Sequence, residues 1–233
     1  MDGEPAAPGR TGALFVVATP IGNLEDLTFR ALRILGEVEA IACEDTRVTL
    51  RLMTRYGLKK RLLSYFHPHE GRRIPEILGL LQSGKDVALV SDAGTPGISD
   101  PGFPLIRECL KAGIPVVPIP GPSAVTAALC ASGLATHRFL FLGFPPPKKA
   151  GRRKLLASVA KDPSTLVFYL PTRKIAEFLE DVLDVFGDRR VVVAREISKI
   201  HEEFEREHVR DLITKLKGRT LRGEATVCVE GYH

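Results

Sequence analysis

Tryptophan is absent from this 233-residue chain, and cysteine is scarce: Cys43, Cys109, Cys130 and Cys228 are the whole supply. No two of them have the close spacing of a zinc knuckle. That excludes a small domain stapled by zinc or dense disulfides and points to reduced cysteines in a core. No apolar stretch approaches the roughly 20 residues that span a bilayer. No secretory leader opens the chain, so the expected location is the cytoplasm, without a membrane partner. Long runs of one charge are also missing. Lysine plus arginine number 33 against 28 aspartate plus glutamate, a formal net charge of +5. Such mild basicity permits an RNA partner without demanding one. No Gly-Lys-Ser/Thr ends a glycine-rich loop, and no G-x-G-x-x-G occurs, which excludes the standard triphosphate and dinucleotide cradles. Neither a Ser-His-Asp triad nor a Lys-Asp-Lys-Glu set can be assigned. His67-Pro68-His69 offers two imidazoles but no nearby Cys/His set to complete a site, so it reads as a polar loop and no metal is expected.

What the chain does have is a 44% apolar fraction, ample for a packed core. Its 21 glycines and 17 prolines gather at the joints between apolar runs. Residues 1–12 are small, polar and rich in Gly and Pro, which suits a flexible extension. Strands are expected at 14–18, 38–43, 62–65, 87–90 and 116–119. Helical spacing occupies 24–35, a stretch ending at Tyr56, 74–81 and 105–112. This alternation predicts a mostly parallel sheet covered by helices. A helix of small residues at 123–132 and a strand at 139–142 come next, and Gly143 to Lys149 then breaks all periodicity. Beyond it lie helix 151–160, strand 165–170, helix 172–185, strand 190–195, a charged run at 197–209, helix 209–216 and strand 226–229. The reading is therefore an extension 1–12, an N-terminal α/β domain 13–121 and a C-terminal α/β domain 122–233 with a mixed sheet.

Strand ends near 19, 44, 91 and 120 open into polar or Gly/Pro-rich loops, and in such sheets ligands sit beyond the carboxyl ends of the strands. The richest loop runs from Ser91 to Gly102. Its glycines permit unusual backbone angles and close approach to a ligand. Asp92 and Asp100 are acceptors, and Ser91, Thr95 and Ser99 donate or accept, a chemistry suited to an adenosine-containing cofactor. The same residues also fit an ordered connector with helix caps. A second loop, Pro118 to Ala124, leads into the small-residue helix with Ser123 as its N-cap, and its bare backbone leaves room for adenine or ribose.

The segments Ala18–Leu24, Glu44–Arg47, Val90–Gly102 and Pro120–Ala124 occur in one order, followed by Phe168–Pro171, Ala194–Glu196 and Gly223–Ala225. Together they resemble the bacterial ribosomal RNA small-subunit methyltransferase I family over nearly all of residues 13–231. The wider superfamily includes precorrin and uroporphyrinogen methylases and diphthine synthase. The resemblance implies a two-domain, tetrapyrrole-methylase-like α/β fold with S-adenosyl-L-methionine in the interdomain cleft. It also implies 2′-O-methylation of a cytidine ribose in the decoding region of 16S small-subunit rRNA, recognised in the assembled small ribosomal subunit, by a homodimer. Carried over by residue, the cofactor contacts are Pro20, Asp92, Thr95, Ser123, Ala124, Leu170, Ala194 and Ala225.

A ribose hydroxyl is a poor nucleophile unless its proton leaves as attack proceeds. Asp45 and Glu196, each following a strand at its ligand-facing edge, are the candidate bases. Asp45 serves equally to cap a helix or pair with Arg47, and Glu196 to pair with Arg195 or Lys199. RNA geometry and solvent offer a third route for the proton. Arg47, Arg51 and Arg55 recur every fourth residue and fit either a basic helix face turned to RNA or a solvent-facing stripe. The stripe is the preferred reading of Arg51 and Arg55, and Arg47, nearest these motifs, is the better RNA contact. Lys59, Lys60 and Arg61 suit either RNA or a solvated loop. Lys148, Lys149, Arg152, Arg153 and Lys154 form a cluster beside three prolines that fits either an RNA clamp or a soluble helix start, and Arg195 extends the path. Two other functions fit the residues: a methyltransferase using the same cofactor on a small molecule or protein, and a non-catalytic RNA-binding protein.

Overall fold

A computed structural model describes residues 11–67 and 70–233, and the chain divides into one unit ending at Ser123 and another spanning Ala124–His233. The first unit alternates β1 (Leu14–Val17), α1 (Phe29–Glu37), β2 (Ala40–Cys43), α2 (Thr46–Arg55), β3 (Arg61–Ser64), α3 (Glu70–Gln82), β4 (Val87–Val90), α4 (Phe103–Lys111) and β5 (Val116–Ile119). The strands form one parallel sheet in the order β3-β2-β4-β1-β5. Every residue of β2 and β4 is buried. Their unbroken apolar runs follow from helices covering both faces of the sheet.

Those helices are sorted by face. Ile41, Cys43, Ala88 and Val90 pack with Ala31, Ile34, Leu35, Leu52 and Met53 of α1 and α2. On the opposite face, Ala40, Ala42, Val87 and Leu89 pack with Ile77, Leu81, Leu105 and Cys109 of α3 and α4. The connection from β1 therefore leaves toward one face and that from its neighbour β4 toward the other. The space beyond their carboxyl ends is a topological switch point, where open α/β sheets hold ligands.

The second unit comprises α5 (Ala124–Cys130), β6 (Phe139–Gly143), α6 (Lys149–Val159), β7 (Thr165–Pro171), α7 (Ile175–Phe186), β8 (Arg190–Arg195), β9 (Glu203–His208), α8 (Val209–Leu216) and β10 (Glu224–Val229). Its sheet runs β6-β7-β10-β8-β9 and is mixed: β6 is parallel to β7 and the other pairings are antiparallel. Phe168, Leu170, Val191, Val193 and Val227 face α6, α7 and α8, while Val167, Val192, Ala194 and Cys228 face α5.

Three expectations change. The helix expected over 24–35 is broken. Asn23 caps a short 3-10 turn at Leu24–Asp26, and Thr28 then starts α1 afresh by accepting from Ala31 N at 3.1 Å. The charged run at 197–209 contains a strand, β9, because its acids are neutralised in place. Glu203 meets Arg195 and Arg219, and Glu205 meets Lys215 and Arg219. Charge on an edge strand also discourages pairing with another chain. Of the extension expected over 1–12, residues 1–10 lie outside the described residues, whereas Gly12 belongs to the fold. Its N–H donates to Leu81 O at 2.8 Å, and a Cβ there would stand 2.1 Å from Lys85 O.

The cysteines are unpaired, with Cys43, Cys109 and Cys228 buried. Burial pushes Cys109 up to about 11 and Cys228 up to about 12, so both stay protonated and act as core atoms. Among the described residues no helix is long and apolar enough to cross a membrane.

Candidate functional site

Three loops of the first unit are tied together at the switch point. Thr19 and Gly94 exchange backbone hydrogen bonds of 2.9 and 3.0 Å, joining the loop after β1 to the loop after β4. Thr19 Oγ1 donates to Ser91 O at 3.1 Å, and the Ser91 hydroxyl lies within 3.4 Å of Gly94 O. Gly94 has φ of +80°, a left-handed conformation that glycine adopts without strain. The loop after β5 closes in through Gly121, where a Cβ would meet Ala18 Cβ at 3.0 Å. Pro20 and Thr95 flank the Thr19–Gly94 bridge, and Asp92 and Ser123 stand in the same joined loops.

The end of β2 is hooked to this cluster. Asp45 N–H donates to Asp92 Oδ1 at 3.0 Å. Asp45 in turn caps α2, accepting from Arg47 N at 2.8 Å, and its carboxylate grips the Arg47 side chain through Nε at 3.0 Å and a terminal nitrogen at 2.6 Å. Both alternatives read for Asp45, cap and partner of Arg47, are realised in one side chain. The Arg47 guanidinium holds the Asp45 carboxyl down to about 2. Asp92 moves the other way: burial pushes it up and the Asp45 charge adds, against the opposing Asp45 N–H and Arg47. Of the two, Asp45 is the weaker proton acceptor at neutral pH. Because its folded value is depressed, the stability Asp45 contributes is present above the ordinary carboxylate range and is lost as pH falls through about 2. Carboxyl-carbon NMR is expected to give Asp45 a midpoint near 2, and Arg47→Gln to raise it toward the ordinary 3.8. A midpoint that ignores the substitution contradicts this pairing.

In the second unit, Leu170 and Ala225 face each other across β7 and β10, Ala225 pairs with Arg195 on β8, and Ala194 pairs with Thr226. The Leu170 and Ala225 side chains enter the core under α7, and Ala194 faces α5. Leu170 and Ala225 therefore have only backbone to offer a ligand. Ala124 is the first residue of α5. Glu196 has φ of +50° and accepts from Lys199 Nζ at 2.9 Å and Glu224 N–H at 3.1 Å. Partial burial raises its carboxyl, but those bonds and the nearby Lys199 and Arg195 charges outweigh it and leave it below the ordinary value. Gly223 makes this possible: its φ is +94°, and a Cβ would stand 2.2 Å from Glu196 Oε1.

The cationic candidates separate. Lys148 and Lys149 are exposed at the start of α6. Arg195 is half-engaged by Glu203 at 3.0 Å. Arg152 is corrected. Its side chain is 5% exposed and lies against the 1% exposed Asp181 carboxylate, with contacts of 2.7 Å from Nε and a terminal nitrogen. A guanidinium consumed inside a helix–helix contact is not presented to RNA. The His67-Pro68-His69 segment lies partly outside the described residues, since Pro68 and His69 are not among them. Among the described residues no group of three or more His, Cys, Asp or Glu gathers for a metal. Thr19 and Gly223 stood in the sequence only as members of motifs, and the ties made by Ser91 and Gly121 between loops were not foreseen. Only their residue types hinted at them, since partners 72 positions apart, as for Thr19 and Ser91, leave no periodic trace.

Comparison with known proteins finds one matching family, and two relatives and two solved structures illustrate the likeness. The family of tetrapyrrole (corrin/porphyrin) methylases matches residues 13–213. The Thermotoga maritima protein named ribosomal RNA small subunit methyltransferase I is 47% identical over 94% of this chain and 99% of its own length. The protein of that name from Pseudomonas aeruginosa is 47% identical over 95% of this chain and 79% of its own. Among solved structures, a cobalt precorrin-4 methyltransferase gives a TM-score of 0.69 at 18% identity, covering 94% of each chain. The uroporphyrin-III-C-methyltransferase of Thermus thermophilus gives 0.65 at 22%, again over 94% of each. At those identities the two structures speak for the fold alone.

Proposed function

This chain belongs to the tetrapyrrole methylase family and is 47% identical to ribosomal RNA small subunit methyltransferase I over nearly its whole length, and from that premise we propose that it methylates the 2′-hydroxyl of a cytidine in the decoding region of 16S rRNA. The methyl donor in this reading is S-adenosyl-L-methionine. The observation that carries it is the knot of three loops at the switch point, glycine-backed through Gly94 and Gly121 and bearing the half-buried Asp92 and Thr95.

The residues present fit such a ligand. The absence of a Cβ at Gly121 lets the loop after β5 close against Ala18, which brings that loop up to the other two. Asp92 offers a carboxylate acceptor and Thr95 a hydroxyl, as ribose and ammonium groups require. Pro20 and Ser123 complete the first unit's contribution, and the second unit supplies Ala124, Leu170, Ala194 and Ala225, largely through backbone. When bound, the cofactor supplies an electrophilic methyl group. The chain's part is to orient the acceptor oxygen in line and to exclude unproductive geometry. Asp45 and Glu196, the candidate bases, act in this reading as positioning groups. Asp45 fixes the start of α2 and the direction of Arg47, and Glu196 fixes the edge at Gly223–Ala225. The acceptor proton then passes to solvent. Arg47, Lys148, Lys149 and Arg195 supply cations for rRNA phosphates. The setting proposed is a cytoplasmic homodimer acting on the assembled small subunit.

The test pairs calorimetric binding of S-adenosyl-L-methionine with transfer of a labelled methyl group to undermethylated small subunits. Binding and incorporation into 16S rRNA are expected together. Binding without incorporation redirects the reading to a small-molecule or protein acceptor, and RNA binding with neither result leaves a non-catalytic binder.

A further inference from the structure

Helix α2 is at odds with its own electrostatics. Its ten residues, Thr46–Arg55, include Arg47, Arg51 and Arg55 and no acid. Arginines four apart share a face and repel one another. Arg47 lies in the first turn, where the amide dipoles already present positive charge, and the Asp45 carboxylate, with a smaller contribution from Asp92, offsets it. Arg51 and Arg55 have no such offset, since among the described residues neither makes an ion pair or hydrogen bond. The inward side of the helix is spent on the core through Thr49, Leu52 and Met53, which leaves the arginines and a 57% exposed Leu50 facing outward. Helix α6 shows the contrast. It too lacks acids, but its Arg152 and Arg153 are answered by Asp181 and Asp184 of α7. Local rules broken without local compensation mark a functional surface.

We infer that the outward face of α2 carries the sugar-phosphate chain of the substrate RNA, with phosphates on Arg51 and Arg55 and a ribose face against Leu50. Successive arginines are separated by about 6 Å along the helix axis, and the row begins at Arg47, whose partner Asp45 is bonded to Asp92 in the loop cluster. The face thus forms a track leading away from the proposed methyl-transfer site. Charge complementarity selects a polyanion, because a free small-molecule acceptor has no use for cations ranged over two helical turns. The inference rests on the RNA-substrate reading above and goes beyond it by reassigning Arg51 and Arg55 from a solvated stripe to substrate contacts.

The experiment uses the full chain, undermethylated small subunits, naked 16S rRNA and S-adenosyl-L-methionine. Arg51→Gln/Arg55→Gln removes both charges with residues of good helix propensity, and Arg51→Glu/Arg55→Glu reverses them. Lys161→Glu/Lys217→Glu, two exposed cations of the second unit, is the control. The glutamine pair is expected to raise KM for small subunits by about tenfold and to reduce the slope of log affinity for naked RNA against log salt by about 1.4–1.8, at 0.7–0.9 per lost phosphate contact. The glutamate pair exceeds both changes, cofactor affinity stays at the wild-type value in every variant, and the control pair moves neither KM nor slope. Wild-type KM and slope in the glutamine pair, or an equal change in the control, overturns the inference while leaving methyl transfer to RNA standing. A wild-type chain that binds cofactor but transfers nothing to small subunits overturns the functional reading, and this inference with it.

Discussion

Asp181→Ala is expected to destabilise the second unit by about 3 kcal/mol, because breaking a buried ion pair leaves an uncompensated charge. The Arg152 guanidinium sits 5% exposed against an Asp181 carboxylate that is 1% exposed. Its remaining contacts are poor substitutes: Pro147 O at 3.3 Å and the half-exposed Glu177 at 3.7 Å. The neighbouring Asp184→Ala breaks the 2.8 Å pair with Arg153, whose partners are 39% and 54% exposed, and is expected to cost less than about 1 kcal/mol. Denaturant unfolding of the two variants separates these values. Replacing both members, Arg152→Met with Asp181→Leu, is expected to recover most of the loss, since no charge is then stranded. An Asp181→Ala protein as stable as Asp184→Ala contradicts the structural role given to Arg152 and returns it to the RNA-contact candidates.

The second large effect concerns Asp92. Asp92→Ala removes a carboxylate from the loop cluster and the acceptor of the Asp45 N–H, a 3.0 Å bond. Loss of one charged hydrogen bond to a ligand costs about 1.5–3 kcal/mol, so the dissociation constant for S-adenosyl-L-methionine is expected to rise by about 10–150-fold. Methyl transfer at low cofactor falls in proportion. Asp92→Asn keeps an oxygen for Asp45 N–H and loses only the charge, so it should bind cofactor between wild type and alanine and preserve the start of α2. Calorimetry with both variants, alongside the Asp45 carboxyl shift, distinguishes the two functions of this side chain. Wild-type cofactor affinity in both variants contradicts the assignment of Asp92 to the ligand.

Much of this architecture was legible because local and global signals agree. Val87–Val90 and Ala40–Cys43 are uninterrupted apolar runs, which is what a strand covered on both faces requires. The glycines of the 91–102 loop announced a backbone held in unusual geometry, and Gly94, Gly97 and Gly102 all have positive φ. Where reading failed, the deciding partner was distant in sequence. Glu203–His208 looks solvated until Arg195, Lys215 and Arg219 are placed beside it. Arg152 looks like one of five cations until α7 brings Asp181 to it. The helix expected from Leu24 failed for a local reason, the competition of Asn23 and Thr28 as caps. At the site, residue types gave the loop but not its closure: the Thr19–Gly94 bridge depends on β1 and β4 being neighbours, which strand order in the sequence does not reveal.

The most direct measurement is nucleoside mass spectrometry of 16S rRNA from undermethylated small subunits incubated with the folded chain and S-adenosyl-L-methionine. The predicted result is one gained 2′-O-methylcytidine, located in the decoding region and dependent on the cofactor. A preparation that binds the cofactor and leaves every ribose of the subunit unmodified would contradict the account.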